Sequence, residues 1–245
     1  TGIDRELMIY LLDTAEEYVS LGRVRGIRLS TRPDYISREI LDILKRYATQ
    51  ELNRLTPLEL SSFNDFRLDY YPVTGKNSER PREEMTDVFN SCKRYAETFA
   101  LNSKPLYFYG RTGLGKTHLS LAIADQVIKK GYGVIYGSII TFLNKMEREK
   151  FGKTDVQTDT ESLLVDADLL IIDDLGAEFS TAFTNSAIYS IINSRLASGL
   201  PTIISSNLNM SELKERYPES VASRIIGNFV PVEFIGKDIR QIMNE

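Results

Sequence analysis

The sequence predicts an α/β fold with a mainly parallel five-stranded sheet flanked by helices, and three observations carry that prediction. Strand-like and helix-like stretches alternate from Leu106 onward. A glycine-rich turn, Gly110-Arg-Thr-Gly-Leu-Gly-Lys-Thr117, joins the first strand of that series to its first helix. An apolar run, Leu169-Leu-Ile-Ile, ends in two carboxylates, Asp173 and Asp174. Alternation of this kind needs crossover helices, which cover both faces of a parallel sheet and make its strands apolar throughout.

Composition sets outer limits. The 245 residues, 42% hydrophobic and 26% charged, are enough for a substantial core. No apolar run approaches the roughly 20 residues of a membrane span, and the opening residues have no basic-then-apolar pattern, so a cytoplasmic location is expected. Cys92 is the single cysteine, which excludes an intrachain disulfide and a multi-cysteine metal or iron–sulfur site. Its place in an apolar pattern predicts a buried thiol. A net charge of −4 argues against a broadly basic nucleic-acid-binding protein but permits local positive strips.

Residues 1–48 read as a separate helix-strand-helix segment. Leu7, Leu11, Ala15, Tyr18 and Leu21 recur at helical spacing, a strand candidate covers 24–29, a turn falls at Pro33-Asp34, and a second periodic stretch follows over 36–47. Residues 49–62, with Pro57, read as a connector to a main domain over 63–245. Pro81 suits a helix start, and Met85, Val88, Phe89, Cys92, Tyr95, Ala96 and Phe99 form one apolar face. Strands are expected at 106–109, 134–136, 169–172, 202–205 and 229–235. Helices are expected after the glycine-rich turn, through Ile139, Phe142, Leu143 and Met146, and through Ala187, Ile188, Ile191 and Leu196.

The turn satisfies the P-loop pattern, a glycine and four residues before Gly-Lys-Thr. Its candidate phosphate cradle comprises Gly110, Arg111, Thr112, Gly113, Leu114, Gly115, Lys116, Thr117 and His118. The glycines let the backbone curl with N–H groups inward, Lys116 can reach the β- and γ-phosphates, and the Thr117 hydroxyl can ligate Mg²⁺. The following helix would point its N-terminus at phosphate. His118, the single histidine, reads as a packing or capping residue rather than a catalyst.

Asp173 and Asp174 have the form of a Walker B pair, one acid for Mg²⁺ and the next to polarise the attacking water. Alternate strand residues face opposite ways, so the pair shares a site only if the strand has turned by Asp174. Asn207 ends a further apolar strand; it can orient water if that strand lies beside the Walker B strand, or it caps the next turn. Arg224, on a short helical segment, reads either as an arginine finger acting on a neighbouring subunit or as a surface ion-pair residue. Arg195 reads as a second interface arginine or the partner of a local carboxylate. Arg240 reads as a nucleotide sensor or a solvated charge. Lys145, Arg148, Lys150 and Lys153 are interrupted by Glu147 and Glu149, so a solvated helix face is expected there.

Over about 63–245 the chain resembles the AAA+ ATPases of the bacterial replicative helicase-loader group, the DnaC and DnaI type, and the related IstB-type transposition helpers. The resemblance rests on Phe63-Asn-Asp-Phe66, the P-loop, Leu169-Leu-Ile-Ile-Asp-Asp-Leu-Gly176, Ser205-Ser-Asn207 and Ser223-Arg-Ile225. It implies ATP and Mg²⁺ as cofactors, Lys116, Asp173, Asp174, Asn207 and Arg224 as catalytic groups, and Thr117 and Asp173 at the metal. It further implies self-association through an ATP interface, a hexameric replicative helicase and single-stranded DNA as partners, and slow hydrolysis without assembly. A transposition helper acting on duplex DNA and a nucleotide-binding adaptor with little hydrolysis are the alternatives. The chain departs from the general AAA+ pattern in its Asp-Asp pair, where Asp-Glu is usual, and in leaving little room for a C-terminal helical lid. Residues 4–48 separately resemble a piece of the radical SAM barrel of Elongator-type tRNA-modifying proteins, without that family's three-cysteine motif.

Overall fold

Strands β1 (Leu106–Tyr109), β2 (Val134–Ser138), β3 (Leu169–Leu175), β4 (Thr202–Ser206) and β5 (Val230–Glu233) form one sheet in the order β2-β3-β4-β1-β5. Every neighbouring pair is parallel. The computed structural model describes residues 9–10, 13–14, 60–74, 80–152 and 159–242. The predicted helix-strand-helix of residues 1–48 lies outside the described residues, except for 9–10 and 13–14, which are helical. Most of the predicted connector lies outside them too.

Eight helices accompany the strands among the described residues of 80–242: α1 (Pro81–Glu97), α2 (Lys116–Lys129), α3 (Ile139–Lys150), α4 (Thr160–Asp166), α5 (Ala182–Ser198), α6 (Met210–Arg216), α7 (Glu219–Asn228) and α8 (Ile239–Ile242). Two single-turn 3₁₀ helices, Phe63–Asp65 and Leu68–Tyr70, precede α1. Helix ends follow local chemistry. Pro81 opens α1 where its missing N–H costs nothing, Thr181 and Thr184 form a reciprocal cap on α5, and Gly199 closes α5 in the left-handed conformation.

The strands alternate between two apolar cores, one on each face. Leu169 and Ile171 join Met85, Phe108, Ile123 and Phe234 on the α1/α2 side. Leu170 and Ile172 join Ile135, Ile188, Ile191 and Ile225 on the α3/α5/α7 side. Central strands buried this way show no polar alternation, which is why the sequence reads as apolar runs. Pro231 lies on β5, an edge strand, where a residue without an N–H is tolerated. The predicted face of α1 is core as expected: Cys92 is buried, and burial pushes its thiol up to about 12.

The differences from expectation are local. The last strand is shorter than 229–235, and β3 runs on through the acid pair to Leu175. The short helices α4, α6 and α8 are additions to the expected set; fewer than two turns of apolar periodicity give no legible stripe.

Candidate functional site

Order within the sheet builds the site. β1 lies between β4 and β5, and β4 lies between β1 and β3, so the loops after β1, β3 and β4 open on one edge at the strands' C-terminal ends. In open parallel sheets ligands bind there.

The loop after β1 holds its glycines for two reasons. Gly110, Gly113 and Gly115 have φ of 140°, 78° and 86°, a region that side-chain-bearing residues rarely enter. A Cβ on Gly113 would also lie 1.8 Å from Asp238 Oδ1, and one on Gly115 would lie 2.8 Å from the Phe66 ring. The Tyr71 phenol donates to the Leu114 carbonyl at 2.8 Å and pins the loop from below. Gly115 is the N-cap of α2 and supplies no side-chain acceptor to the helix's first-turn N–H groups. Those donors and the helix dipole favour an anion.

Asp173, 5% exposed, is held by three hydroxyls. Thr117 Oγ1 donates to Oδ2 at 3.0 Å, the Tyr136 phenol donates to the same oxygen at 2.7 Å, and Ser205 Oγ donates to Oδ1. Burial, and next the charge of Asp173, push the Tyr136 phenol up, so it remains a donor at physiological pH.

Asp174 turns as the shared site requires. Among the described residues it is the one non-glycine with positive φ, 55°, and the β3–β4 register shifts between Ile172 and Leu175. This bulge swings its side chain onto the cleft, and its N–H donates to Ser205 Oγ at 3.2 Å. Asp tolerates the left-handed region better than most residues. Desolvation, and then the charge of Asp173, raise the Asp174 carboxyl above its ordinary value, while Lys116 and Arg240 pull it down.

The Lys116 ammonium donates to the carbonyls of Gly110 at 2.6 Å and Arg111 at 2.8 Å, and to Asn207 Oδ1 at 2.9 Å. Desolvation lowers its pKa, and the two aspartates oppose that shift. Asn207 directly follows β4, which lies beside β3, the condition the sequence left open. A cleft of about 590 Å³ brings Thr112 to His118 together with Asp174, Asn207 and Arg240. His118 packs as expected: its Nε2 lies 3.0 Å from the Ser62 carbonyl, and its ring meets Phe66 edge-on.

Several groups at or beside the cleft were given no role by the sequence. Asp65, Phe66, Arg67 and Tyr70 form one end of the cleft. Tyr136 gave no signal in an apolar edge strand. Ser205 and Ser206, two hydroxyls in a fully buried strand, are depleted company for such a run and could have marked Ser205. Arg240 lines the cleft and is exposed, held beside it by α8 and the 3.0 Å bond from Ile239 N–H to the Gly113 carbonyl.

The arginines separate clearly. Arg224 does not line the cleft; it docks on α5, donating to Asn193 Oδ1 and the Tyr189 hydroxyl at 2.9 Å each. Arg195 corrects both sequence readings, the interface arginine and the carboxylate partner. It is 1% exposed and donates to the carbonyls of Leu164, Val165, Ala167 and Pro201 and to Thr202 Oγ1. A cation satisfied by backbone carbonyls leaves no periodicity to read. Lys150 also does more than face solvent, its ammonium sitting 5.3 Å from the Phe183 ring centroid. Lys153 lies outside the described residues.

Residues 94–226 match the family model described as IstB-like ATP binding protein, over more than half the chain. The chain belongs to the IstB-like ATP-binding family. It is 31% identical over 156 residues to the replicative helicase loader DnaC of Escherichia coli (strain K12), covering 62% of each chain. To the replicative helicase loader DnaI of Bacillus subtilis (strain 168) it is 34% identical over 136 residues, covering 54% of this chain and 42% of that one. The chain thus spans about 62% of the DnaC length that it matches. Among solved structures, AMPPCP-bound DnaA from Aquifex aeolicus superposes with a TM-score of 0.57 at 25% identity, covering 72% of this chain and 50% of that one. These comparisons support the AAA+ P-loop fold for this member of the IstB-like family and lend no support to the radical SAM resemblance of residues 4–48. No helix among the described residues is long and apolar enough to cross a membrane.

Proposed function

We propose that this chain is an ATPase of the replicative helicase-loader type, binding and hydrolysing ATP to control how a hexameric helicase engages single-stranded DNA. The observation that carries the reading is the 3.0 Å approach of the Thr117 hydroxyl to the Asp173 carboxylate, with Lys116 and Asn207 joined across the same cleft. A phosphate chain lying on the loop would meet Lys116 and the first-turn N–H groups of α2. The base end of the nucleotide fits the wall formed by Phe66, Arg67 and Tyr70.

The residues fit Mg²⁺. Thr117 and Asp173 offer hard oxygen donors, and among the described residues no group of three or more acidic, histidine or cysteine side chains forms a closed metal cage. A cation completed by phosphate oxygens and water suits that donor set. When bound, Mg²⁺ neutralises charge on the β- and γ-phosphates. Asp174 accepts a proton from the water as the water oxygen bonds to the γ-phosphorus, the bond to the β–γ bridging oxygen breaks, and ADP leaves. Asn207 orients that water. Arg224 serves a neighbouring subunit's γ-phosphate, which is consistent with its lying off its own cleft, and makes an isolated subunit slow.

In this reading residues 63–245 are the ATPase unit, residues 49–62 its connector and residues 1–48 a separate segment. The exposed rings of Phe179 and Phe151, 90% and 61% accessible, are side chains of the kind on which single-stranded bases stack. The similarity to DnaC and DnaI supports the helicase as partner. The IstB-like family description favours a second reading, a transposition helper on duplex DNA.

The test is ATP turnover and particle size of the chain, alone and with single-stranded DNA and a replicative helicase, with Lys116→Ala as the blank. ATP-dependent co-assembly with the helicase supports loading. Turnover stimulated by duplex DNA without helicase binding moves the assignment to the transposition helper. ATP binding without turnover in every mixture leaves a nucleotide-binding adaptor.

A further inference from the structure

Tyr136 and Ser205 both donate to Asp173 and have no task in the proposed reaction, and of the two Tyr136 shares its carboxylate oxygen with Thr117. Tyr136 belongs to the edge strand β2, paired in register with Ile171 of β3, and its ring packs against the α1/α2 core. Its hydroxyl crosses to the Walker B carboxylate at 2.7 Å. A carboxylate has about four lone-pair positions, two on each oxygen. On Oδ2, Thr117 and Tyr136 take both; on Oδ1, Ser205 takes one.

We infer that Tyr136 is a positioning residue that closes Asp173 Oδ2 to direct metal ligation and so makes the site discriminate between divalent cations. The inference rests on the reading of the cleft as an ATP and Mg²⁺ site. With Oδ2 saturated beside Thr117 and Oδ1 engaged by Ser205, the carboxylate reaches a cation held by Thr117 through the cation's own water. Mg²⁺ dehydrates reluctantly and accepts water-mediated contact. Ca²⁺ seeks six to eight direct oxygen ligands, often carboxylates, and gains little from a carboxylate whose near oxygen is filled. Tyr136 therefore favours Mg²⁺ over Ca²⁺ without touching either ion.

The substitution Tyr136→Phe keeps the ring and removes one donor. It opens a lone pair on Oδ2 next to Thr117, where a direct bond becomes available. Binding of a fluorescent ATP analogue to the full chain, measured in Mg²⁺, Ca²⁺ and EDTA, reads the effect without reference to turnover. In the variant the ratio of the Ca²⁺ to the Mg²⁺ dissociation constant should fall about tenfold, the low end of what one hydrogen bond to a charged group is worth. Affinity in EDTA should stay unchanged, which separates an effect on the cation from a general loss of packing.

An unchanged ratio, with the wild-type chain binding the Mg²⁺ complex, overturns the role of Tyr136 and leaves the ATP reading standing. A wild-type chain that binds the analogue with no cation dependence, or not at all, overturns both. A second measurement needs no variant. In the wild-type complex with Mn²⁺ and ADP, line broadening by ¹⁷O-labelled water counts the waters on the metal. A count showing that Asp173 has not displaced a water supports the inference; direct carboxylate ligation overturns it.

Discussion

The guanidinium of Arg224 sits over the ring of Tyr189, its Cζ 4.5 Å from the ring centroid, while its Nε donates to Asn193 at 2.9 Å. Both partners lie on α5, so the arginine is presented from the α5/α7 pair and not toward the P-loop of its own chain. Arg224→Ala should leave ATP affinity within about twofold and cut assembly-dependent turnover by a factor of about 10³ or more, the scale of an arginine supplied in trans. Nucleotide titration and turnover in the helicase mixture check the two halves separately. Equal loss of binding in Arg224→Ala and Lys116→Ala would sink the assignment.

Asp174 is destabilising in its ionised form. Its carboxyl is raised first by desolvation and then by Asp173, so the folded chain holds a proton there more tightly than the unfolded chain does. The cost of ionisation is fully present above the folded pKa, shrinks as pH falls through it, and vanishes below the unfolded value. Asp174→Asn keeps a residue suited to the left-handed conformation and removes the charge. It should raise the melting temperature at neutral pH, with a gain that fades on acidification, and abolish ATP turnover. Thermal melts from pH 3 to 8 would show it; a gain that grows toward acid would mean that folding lowers the Asp174 pKa instead of raising it.

Arg195→Leu should destabilise the fold by about 3 kcal/mol or more, since each buried acceptor left unpaired costs about 1–3 kcal/mol. Urea unfolding measures this. The folded fraction should still bind ATP, because none of the groups that Arg195 ties lines the nucleotide cleft.

Gly113→Ala pays twice. Its φ of 78° costs a side-chain-bearing residue about 1–2 kcal/mol, and the new Cβ falls 1.8 Å from Asp238 Oδ1. The segment 236–242 should lift from the loop and break the bond from Ile239 N–H to the Gly113 carbonyl. Faster amide exchange at Ile239, with weaker ATP binding, is the expected result; unchanged exchange there would show that the loop moves instead.

Sheet and motif were legible for one reason and the finer geometry was not for another. The strand cores are written as apolar runs because both faces of β1, β3 and β4 are buried, and the P-loop is legible because glycine at 110, 113 and 115 answers both to backbone conformation and to close packing. That Asp174 lines the cleft while Asp173 bonds Thr117 beside it depends on a bulge, which hydrophobic pattern does not encode. Tyr136 and Arg195 act through contacts 37 and 31 residues away in sequence, and such pairings become visible only once the strands are ordered.

Arg195 also divides the labour of the molecule. Its partners lie in α4 and at the approaches to β3 and β4, whereas Asp173 and Asp174 stand near the end of β3 and Asn207 just past the end of β4. One pole of the sheet is riveted by a sequestered cation and the other is kept for exchangeable ligands. Sequence drift at the riveted pole registers as lost protein, and drift at the open pole as lost chemistry. Deficient variants of this chain should therefore sort into two groups, according to which end of the same two strands they strike.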